Sequence, residues 1–368
     1  MLMNDDAAGS SRRDFLTGRA IQRSVEQAGE RIADELRDAT ARQAPVAGET
    51  VRLGKPAMAC DFDVILNPGQ PGAIRPASDA LDVVDVLEDQ MSVYREHSEL
   101  SQLNRRAAEE DVEVEAELFA LLRRAETICR ETDGGFDPTA GPIVDLWRRS
   151  KANGRAPDQI EIDAALSVVG MHYVTFDDAR RTVRFSKPGV ELNLNSIGKG
   201  YALDRAGELL TENAVTDWLF HGGHSSLLAR GAHRNLGGWP VGIRNPLFPE
   251  TRLGTRLPKD CGMSTSGSGV QYFRHGGKRY GHILDPRTGW PTENMLSVTV
   301  LAPTAALADA LSTAFFVVGL EKAAQYCNNN PGVSALLIPP PAQGRRLEPV
   351  NLGIDDDILF LTPNDHPA

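Results

Sequence analysis

One carboxylate is predicted to lie inside a helix that is otherwise apolar, which limits how that helix can be packed. Within residues 305–318, the polar side chains are Asp309, Ser312 and Thr313. They share one helix face because their spacing is i, i+3 and i+4. Thr304 is the natural N-cap, so Asp309 lies within the helix rather than at its end. A carboxylate in such surroundings is costly unless it is paired or bound to a metal.

Two interpretations of this polar face stay open. Asp309, with a hydroxyl group one turn away, suits a hard, oxygen-seeking cation such as Mg²⁺, with phosphate and water completing the shell. Alternatively, Asp309 pairs with a nearby arginine while Ser312 and Thr313 bond back to helix carbonyls. In either case the carboxylate needs a partner from outside its own helix.

The predicted strands and helices do not follow the regular βαβ rhythm of a parallel sheet, which favours an α+β fold. Strand patterns occur at 58–66, at 174–185 as a hairpin, at 218–231 as two pieces kinked at Gly222-Gly223, and at 297–302. Helix patterns occur at 77–91, 115–131, 199–212 and 304–318, the last closed by Gly319. With 368 residues, the chain is long enough to bury a large core.

Composition narrows the class of protein. Hydrophobic residues at 41% and charged residues at 24% describe an ordinary globular protein. The net charge of −11 argues against a nucleic-acid partner, because phosphate binding needs a basic face. No apolar run approaches the ~18 residues of a membrane span, so no transmembrane segment is expected. The four cysteines are far apart and are predicted to be buried free thiols rather than a metal or disulfide framework.

Residues 1–48 are predicted to form a charged, alanine-rich arm, and residues 49–368 a single domain. The segment 11–16, Ser-Arg-Arg-Asp-Phe-Leu, resembles a twin-arginine export signal. A working signal needs an apolar region next, whereas the sequence that follows is polar and suits an amphipathic helix or a disordered arm. The motif is therefore degenerate, which favours a cytoplasmic location, with the periplasm or cell envelope as the alternative.

Two segments carry groups suited to phosphate or nucleotide binding. In 191–206, small residues join a strand to a helix, where backbone N–H groups and Lys199 suit a phosphate; a plain glycine turn is the alternative. It is not a Walker A loop, because Gly200 stands where Ser or Thr is required. In 134–147, Asp137 either bonds an adenine or ribose group or organises its own turn, and the residues alone favour the turn.

Two ring side chains complete the candidates. Tyr94 offers a stacking surface, in a segment where Ser98-Glu99 suits the cap of the next helix. His282 lies in an apparent strand, just before Asp285-Pro286. A lone histidine there is more often structural, yet histidine is the side chain whose unperturbed pKa suits a general base.

Taken in order, these segments resemble the ApbE family, the FAD:protein FMN transferases, over about residues 51–319. The matching motifs are Met58; Tyr94 with Ser98-Glu99 and Leu103-Asn104; Gly135-Phe136-Asp137-Pro138-Thr139 with Gly141-Pro142 and Trp147; Ile197-Gly198-Lys199-Gly200-Tyr201-Ala202; Gly222-Gly223; Ser264-Thr265-Ser266-Gly267; His282-Ile283-Leu284-Asp285-Pro286-Arg287-Thr288-Gly289; and Asp309-Ala310-Leu311-Ser312-Thr313. Each motif alone is weak, but their order makes the set highly specific.

The resemblance implies a single α+β domain of mixed, mainly antiparallel sheets flanked by helices. It implies an enzyme that takes FAD as substrate and Mg²⁺ as cofactor, releases AMP, and attaches FMN to a Thr or Ser hydroxyl of an acceptor flavoprotein. By position, the FAD contacts are Met58, Tyr94, Gly135, Phe136, Asp137, Asn193, Lys199 and Ile283. The implied metal ligands are Asp309, Thr313 and the main-chain oxygen near Ser196, and the implied base that activates the acceptor is His282.

The chain departs from the family's pattern in two motifs. The usual Asp-Leu-Gly-Gly is Asn-Leu-Asn-Ser at 193–196, and the usual Met-Gly-Thr is Met-Ala-Cys at 58–60. The lost carboxylate bears on adenosine recognition and on a metal-side contact, although an amide still donates and accepts hydrogen bonds. Two alternatives therefore accompany FMN transfer. One is a FAD pyrophosphatase that gives free FMN and AMP, and the other is a non-catalytic flavin-binding protein.

Overall fold

A computed structural model describes residues 44–269, 272–344 and 346–361. The twin-arginine-like motif and residues 1–43 of the predicted arm lie outside the described residues. Among the helices of the described part, none is both long enough and apolar enough to cross a membrane.

Seven α-helices lie within the described residues. They are α1 (Ile74–Met91), α2 (Glu99–Arg106), α3 (Ala116–Glu131), α4 (Gly141–Ala152), α5 (Gln159–Leu166), α6 (Gly198–Glu212) and α7 (Ala305–Asn329). Short 3-10 helices occupy Pro71–Ala73 and Met171–Tyr173. The four predicted helices are confirmed as α1, α3, α6 and the first part of α7.

Sixteen strands are found in the same described ranges. They are β1 (Val51–Ala57), β2 (Cys60–Leu66), β3 (Val112–Glu113), β4 (Val174–Asp177), β5 (Thr182–Phe185), β6 (Trp218–Gly222), β7 (Ser226–Arg230), β8 (Val241–Arg244), β9 (Arg252–Arg256), β10 (Cys261–Gly267), β11 (Tyr272–His275), β12 (Lys278–Gly281), β13 (Ser297–Ala302), β14 (Ser334–Ile338), β15 (Val350–Leu352) and β16 (Leu359–Leu361).

Antiparallel pairing builds the central sheet. Eight strands follow the order β1-β2-β6-β7-β10-β13-β14-β15, and each neighbouring pair is antiparallel. Smaller sheets have the orders β16-β9-β8 and β3-β5-β4, and β11-β12 forms a separate hairpin. The predicted α+β class with mainly antiparallel sheets flanked by helices is therefore confirmed.

The first predicted strand, 58–66, begins two residues too early. Met58 and Ala59 form the turn between β1 and β2, and the strand starts at Cys60. The φ angles of the two turn residues are 49° and 59°. Positive φ at both central positions suits a two-residue hairpin turn, where glycine or asparagine is usual. The turn therefore carries local backbone strain at Ala59, where the family pattern has glycine.

Two other elements differ from prediction in extent. The first helical segment of α7 ends at Gly319, as predicted, where φ is 81° and ψ is −173°, and a second helical segment that was not predicted follows directly and extends α7 to Asn329. Residues 218–231 form the two predicted strand pieces, but these pair with each other as a hairpin instead of a kinked strand.

The central sheet has an apolar core on each face. One core contains Phe62, Val64 and Leu66 of β2 together with the buried sides of α1, α6 and α7. The other core contains Met263 and Trp239 and lies beneath the small sheet of β8, β9 and β16. Because side chains alternate along a strand, neighbouring positions of β10 face different cores.

α7 begins in a narrow space between α6 and β10. A Cβ atom added to Gly200 of α6 would lie 2.2 Å from the carbonyl oxygen of Ala305. One added to Gly262 of β10 would lie 2.4 Å from the Ala305 nitrogen. Such distances are closer than Cβ atoms approach other atoms in real structures, so glycine is what lets the three backbones meet. The contact fixes where α7 starts.

We predict that Gly262→Ala lowers the free energy of unfolding by about 1–3 kcal/mol, because the added methyl group overpacks the α7 contact. Urea denaturation measures the change. Gly237→Ala is the matched control, because no heavy atom lies within 4 Å of the added Cβ. Equal stability losses in the two variants would contradict the close contact between Gly262 and the start of α7.

Candidate active site

Asp309 lies at the centre of the candidate site, where α7 meets α6 and β10. The residue is 4% exposed. Oδ1 accepts hydrogen bonds from the hydroxyl groups of Ser226 and Ser264 at 2.9 and 3.0 Å, and Oδ2 accepts the N–H of Gly200 at 3.1 Å. Three neutral donors thus compensate a carboxylate whose burial would otherwise be costly.

The charged partner of Asp309 is Lys199, so the predicted arginine pair is wrong. Lys199 Nζ lies 3.7 Å from Asp309 Oδ2, and the lysine side chain is 25% exposed. The hydroxyl of Ser312 donates to the main-chain oxygen of Asp309 at 3.0 Å, as expected for a hydroxyl that bonds back to its helix. The lysine belongs to the first turn of α6, so its ammonium group links a buried anion to the protein surface.

A row of hydroxyl groups continues from Asp309 along the contact between β10 and α7. Ser266 Oγ lies 2.9 Å from Ser312 Oγ and 3.3 Å from Thr313 Oγ1. Ser312 is fully buried, whereas Thr313 is partly exposed. The structure therefore brings the two side chains predicted as metal ligands, Asp309 and Thr313, to one polar row that reaches the surface.

A second carboxylate, Asp204, anchors the first turn of α7 to α6. Its oxygens accept the N–H groups of Ala305 and Ala306 at 2.7 and 2.8 Å. These N–H groups are among those that a helix N-terminus leaves without internal partners. Burial raises the pKa of the Asp204 carboxyl to about 6. Together with the glycine contacts, this anchor places α7 so that Asp309 meets Gly200.

Three residues that hold Asp309 in place were not predicted for that role, although Ser264 belongs to one of the matching motifs. Ser226 and Ser264 lie on separate strands and meet because the register pairs β7 with β10 at these two residues. Asp204 acts indirectly, because it bonds the first turn of α7, which is far from α6 in the sequence. For Ser226 and Ser264, the available sequence signal was a small polar residue within a strand pattern. Such a residue does not indicate which side chain it bonds.

The segment before α6 carries Asn193 and Ser196, which were predicted from the resemblance. Asn193 Oδ1 accepts the N–H of Asn195 at 2.9 Å, and the Asn193 N–H donates to the carbonyl of Pro138 at 2.7 Å. The replacement for the family's aspartate thus organises its own turn and ties this segment to the loop that contains Asp137.

The loop Gly135-Phe136-Asp137 packs against α7. A Cβ atom at Gly135 would lie 2.4 Å from a methyl group of Val318. Asp137 Oδ1 accepts both the N–H and the hydroxyl of Thr139, at 2.8 and 2.6 Å. Burial raises the pKa of Asp137, although the bonds from Thr139 oppose that shift. The turn-organising interpretation of Asp137 is confirmed, and Phe136 is 3% exposed, so its ring belongs to the core.

His282 lies at a bend directly after β12 and is exposed, so the predicted strand placement is wrong. The next residue, Ile283, is 7% exposed and joins the main core. The burial of Ile283 anchors the backbone directly after His282. His282 itself is exposed to solvent.

The turn after His282 is stabilised by a bidentate ion pair. Arg287 Nε and Nη2 donate to the two carboxylate oxygens of Asp285, each at 2.8 Å. The indole of Trp147 donates to the carbonyl of Gly289 at 2.7 Å. The Arg287 stem also lies beside Gly134, next to the loop that contains Asp137. The segment of His282 is thus docked on the elements that carry other predicted site residues.

Tyr94 and Met58 occupy turns. The Tyr94 residue is 62% exposed, and the Arg148 guanidinium lies 5.5 Å from its ring centroid. Its loop is closed by Ser98, the predicted cap of α2, whose hydroxyl donates to the carbonyl of Ser92 at 2.5 Å. Met58 is half-buried in the β1–β2 turn and touches the main core.

The oxygen atoms around Asp309 fit a hard cation. Oδ1 already accepts two hydrogen bonds and Oδ2 one, which leaves one lone-pair direction of Oδ2. The Thr313 hydroxyl, at the partly exposed end of the same polar row, adds an oxygen of the kind that Mg²⁺ prefers. Within the described residues, no three His, Cys, Asp or Glu side chains form a metal-holding group. A cation at Asp309 would therefore need oxygen atoms of substrate and water as its remaining ligands.

The four cysteines are free thiols in this structure, as predicted. The predicted burial holds for Cys129, whereas Cys60, Cys261 and Cys327 are partly exposed. The reason is position, because Cys60 and Cys261 begin strands and Cys327 lies in the last turn of α7.

Comparison with known proteins gives one consistent family. The model of the ApbE family matches residues 58–337. A FAD:protein FMN transferase of Treponema pallidum is 34% identical over 308 residues, which cover 78% of this chain and 84% of that relative. One of Escherichia coli K12 is 32% identical over 246 residues, which cover 65% of this chain and 70% of that relative.

Solved structures of ApbE proteins are similar to this chain in fold. The ApbE protein of Thermotoga maritima has a TM-score of 0.73 at 30% identity, over 82% of this chain and 96% of that one. The flavin transferase ApbE of Vibrio cholerae has a TM-score of 0.72 at 26% identity, over 83% of this chain and 97% of that one.

Asp204 gives stability a pH dependence of defined sign. Its folded pKa of about 6 exceeds the ordinary value of about 3.9, so the folded state binds more protons between these values. Relative to Asp204→Asn, the wild-type free energy of unfolding should therefore fall as the pH rises from about 4 to about 6, by at most about 3 kcal/mol. Urea denaturation across this range measures the difference, and a difference that rises with pH would contradict the buried anchor.

Proposed function

Because the chain belongs to the ApbE family, we propose that its candidate site transfers FMN from FAD to an acceptor protein. The observation that carries the proposal is the buried Asp309, which β7, β10 and α6 hold by three hydrogen bonds beside Lys199. Such a fixed pair of opposite charges, at a helix start and beside a row of hydroxyl groups, suits the handling of a pyrophosphate.

Lys199 is the proposed cation for the FAD pyrophosphate. Its contact with Asp309 restrains the ammonium group, while the 25% exposure of its side chain keeps it accessible to a ligand. A charge that is already positioned stabilises developing phosphate charge without reorganisation. The N-terminal end of α6 adds the positive end of a helix dipole at the same place.

The other proposed FAD contacts come from five separate loops and turns. Tyr94 offers an exposed ring for stacking. The loop 135–137 approaches through its backbone, because the Phe136 ring is buried. The remaining contacts are Met58 in the hairpin turn, the Asn193 amide and Ile283 beside the base.

Asp309 and Thr313, with the main-chain oxygen of Ser196, are the proposed ligands of Mg²⁺. When bound, the ion supplies further compensation of the negative charge on the pyrophosphate. Asp309 is suited to this role because its neutral donors leave its negative charge uncancelled except by Lys199. Thr313 is suited because its hydroxyl stands at the partly exposed end of the polar row.

His282 is the proposed general base. The oxygen of an acceptor Thr or Ser attacks the FMN phosphorus, and the bond from this phosphorus to the bridging oxygen breaks. AMP leaves with that oxygen, and the acceptor proton passes to the imidazole. An exposed base is required here, because the acceptor hydroxyl belongs to another protein and arrives from solvent. Positioned bases of this kind contribute ~10²–10⁴-fold in rate.

The exposure of His282 also favours a second candidate function, FAD pyrophosphatase activity. Water would then replace the acceptor hydroxyl and give free FMN with AMP. Incubation with FAD and Mg²⁺, with and without an acceptor peptide, separates the candidates. Flavin on the peptide supports transfer, and equally rapid free FMN without the peptide supports hydrolysis. FAD binding without either product supports a non-catalytic flavin-binding protein.

We predict that His282→Ala lowers the rate of FMN transfer by ~10²–10⁴-fold and leaves FAD affinity intact, because an exposed base is removed without disturbing the core. Flavin fluorescence of the acceptor peptide measures transfer, and calorimetry measures FAD binding. His275→Ala is the matched control, since His275 is exposed on the neighbouring hairpin. Strong loss of FAD binding in His282→Ala would return this histidine to a structural role.

A second prediction concerns the metal. Chelation should abolish transfer, and added Mg²⁺ should restore it. Thr313→Val should raise the Mg²⁺ concentration for half-maximal rate by at least about tenfold, because one ligand oxygen is lost, whereas Thr313→Ser should resemble the wild type. Initial rates against Mg²⁺ concentration measure the shift, and an unchanged curve for Thr313→Val would contradict Thr313 as a ligand.

A further inference from the structure

The hairpin of β11 and β12 leads directly into the segment that carries the proposed base. Among the described strands, each of these two pairs with the other alone, so the hairpin is separate from the larger sheets. β12 ends at Gly281, and His282 is the next residue. A partner that binds to this hairpin therefore lies beside His282.

One face of the hairpin packs against the domain. Phe273 and Tyr280 are opposite each other in the register, and their rings stack with centroids 5.2 Å apart. Both rings also contact Trp147 of α4, at centroid distances of 5.9 and 5.4 Å. These aromatic contacts hold the hairpin on α4. Because side chains alternate along a strand, the neighbouring positions face away from α4.

The outward face presents two arginines directly opposite each other. Arg274 and Arg279 are paired in the register, and both are exposed. The Arg279 guanidinium lies 4.0 Å from the ring centroid of Tyr272, which is 41% exposed. Like charges at directly opposite positions destabilise a strand pair. The two arginines therefore cost the hairpin stability, as is common for residues kept for a function.

Neither arginine forms an ion pair with a carboxylate in the part of the chain that the structure describes. Arg279 donates to the main-chain oxygen of Ser268, which leaves its charge uncompensated. The lysine of the hairpin, Lys278, by contrast lies 3.4 Å from Glu293. Residues 261–284 contain no Asp or Glu, although the whole chain has a net charge of −11. The hairpin is therefore a positive surface on an acidic protein.

We propose that the arginine face, formed by Tyr272, Arg274 and Arg279, docks an acidic surface of the acceptor protein. This inference rests on the proposed function, because it takes the partner to be the acceptor. Guanidinium groups match carboxylates, which accept their paired N–H donors. A carboxylate placed between the two arginines would replace their repulsion by attraction. Exposed charges of this kind accelerate association and fix the orientation of a partner.

The arginine face and the base contact different parts of the acceptor. Arg279 precedes His282 by three positions, which corresponds to at most about 10 Å along the chain. The acidic surface and the attacking hydroxyl are thus held by one continuous segment. Docking on this segment limits how the hydroxyl approaches the flavin phosphate, and such orientation favours a reaction between two macromolecules.

Flavin transfer to a pair of acceptor peptides tests the proposal. Both peptides carry the same acceptor segment with its Thr, followed by four glutamates in one and four glutamines in the other. For the wild type at low ionic strength, we expect kcat/KM to be about tenfold higher with the glutamate tail, and salt should reduce the difference. Arg274→Gln/Arg279→Gln should remove the preference by raising the KM for the glutamate peptide, with the KM for FAD unchanged.

Arg180→Gln/Arg181→Gln is the matched control, because it removes the same two charges from the turn of another hairpin, that of β4 and β5. Both of these arginines have carboxylate partners, at 3.9 and 3.6 Å. The control should keep the wild-type preference. Arg274→Glu/Arg279→Glu should instead prefer a peptide with four lysines, and a loss of folding cannot produce such a reversal.

Equal kcat/KM for the two peptides in the wild type, or the same loss of preference in the control, would overturn the proposal. If no peptide receives flavin, the proposed function fails, and calorimetric titration with hexaglutamate tests the surface alone. Binding that is about tenfold weaker in Arg274→Gln/Arg279→Gln supports an acidic protein partner, and no binding overturns it. Binding to phosphatidylglycerol vesicles without binding to hexaglutamate would assign the arginine face to a membrane and also overturn the proposal.

Discussion

The contact of the first turn of α7 with Gly200 and Gly262 is the constraint on which the candidate site depends. A helix that is apolar on nearly all sides must be packed on nearly all sides, which requires close neighbours. Two glycines allow the backbones of α6 and β10 to approach Ala305 without a Cβ between them. Asp204 then bonds the free N–H groups of the same turn. The position of Asp309 one turn further along α7 follows from these contacts.

This arrangement separates a rigid part of the site from an accessible part. Asp309 and its serine donors are buried between packed elements, so the negative charge is fixed in direction and place. Lys199 and Thr313 are partly exposed, and Tyr94 and His282 are exposed. The proposed reaction between a bound dinucleotide and a protein hydroxyl needs both parts, because the phosphate must be held while the acceptor enters from outside.

Much of the fold and part of the site were predictable because their signals are local. The absence of a regular βαβ rhythm indicated the α+β class, and the polar face of helix 305–318 with the order of short motifs indicated Asp309, Lys199 and His282. The hydroxyl donors Ser226 and Ser264 were not predictable, because strand register alone makes them neighbours. The choice of lysine over arginine as the partner of Asp309 likewise depends on how α6 packs against α7. The positive φ of Ala59 belongs to a two-residue turn, which the strand pattern at 58–66 did not predict.

We propose that Asp309 and Lys199 form the phosphate and metal centre of this flavin transferase. A crystal structure of His282→Ala with FAD and Mg²⁺, in which turnover is prevented, tests it most directly. We expect the pyrophosphate within hydrogen-bond distance of Lys199 Nζ, and the metal bound by a carboxylate oxygen of Asp309. FAD bound elsewhere, or a metal that makes no contact with Asp309, would contradict it.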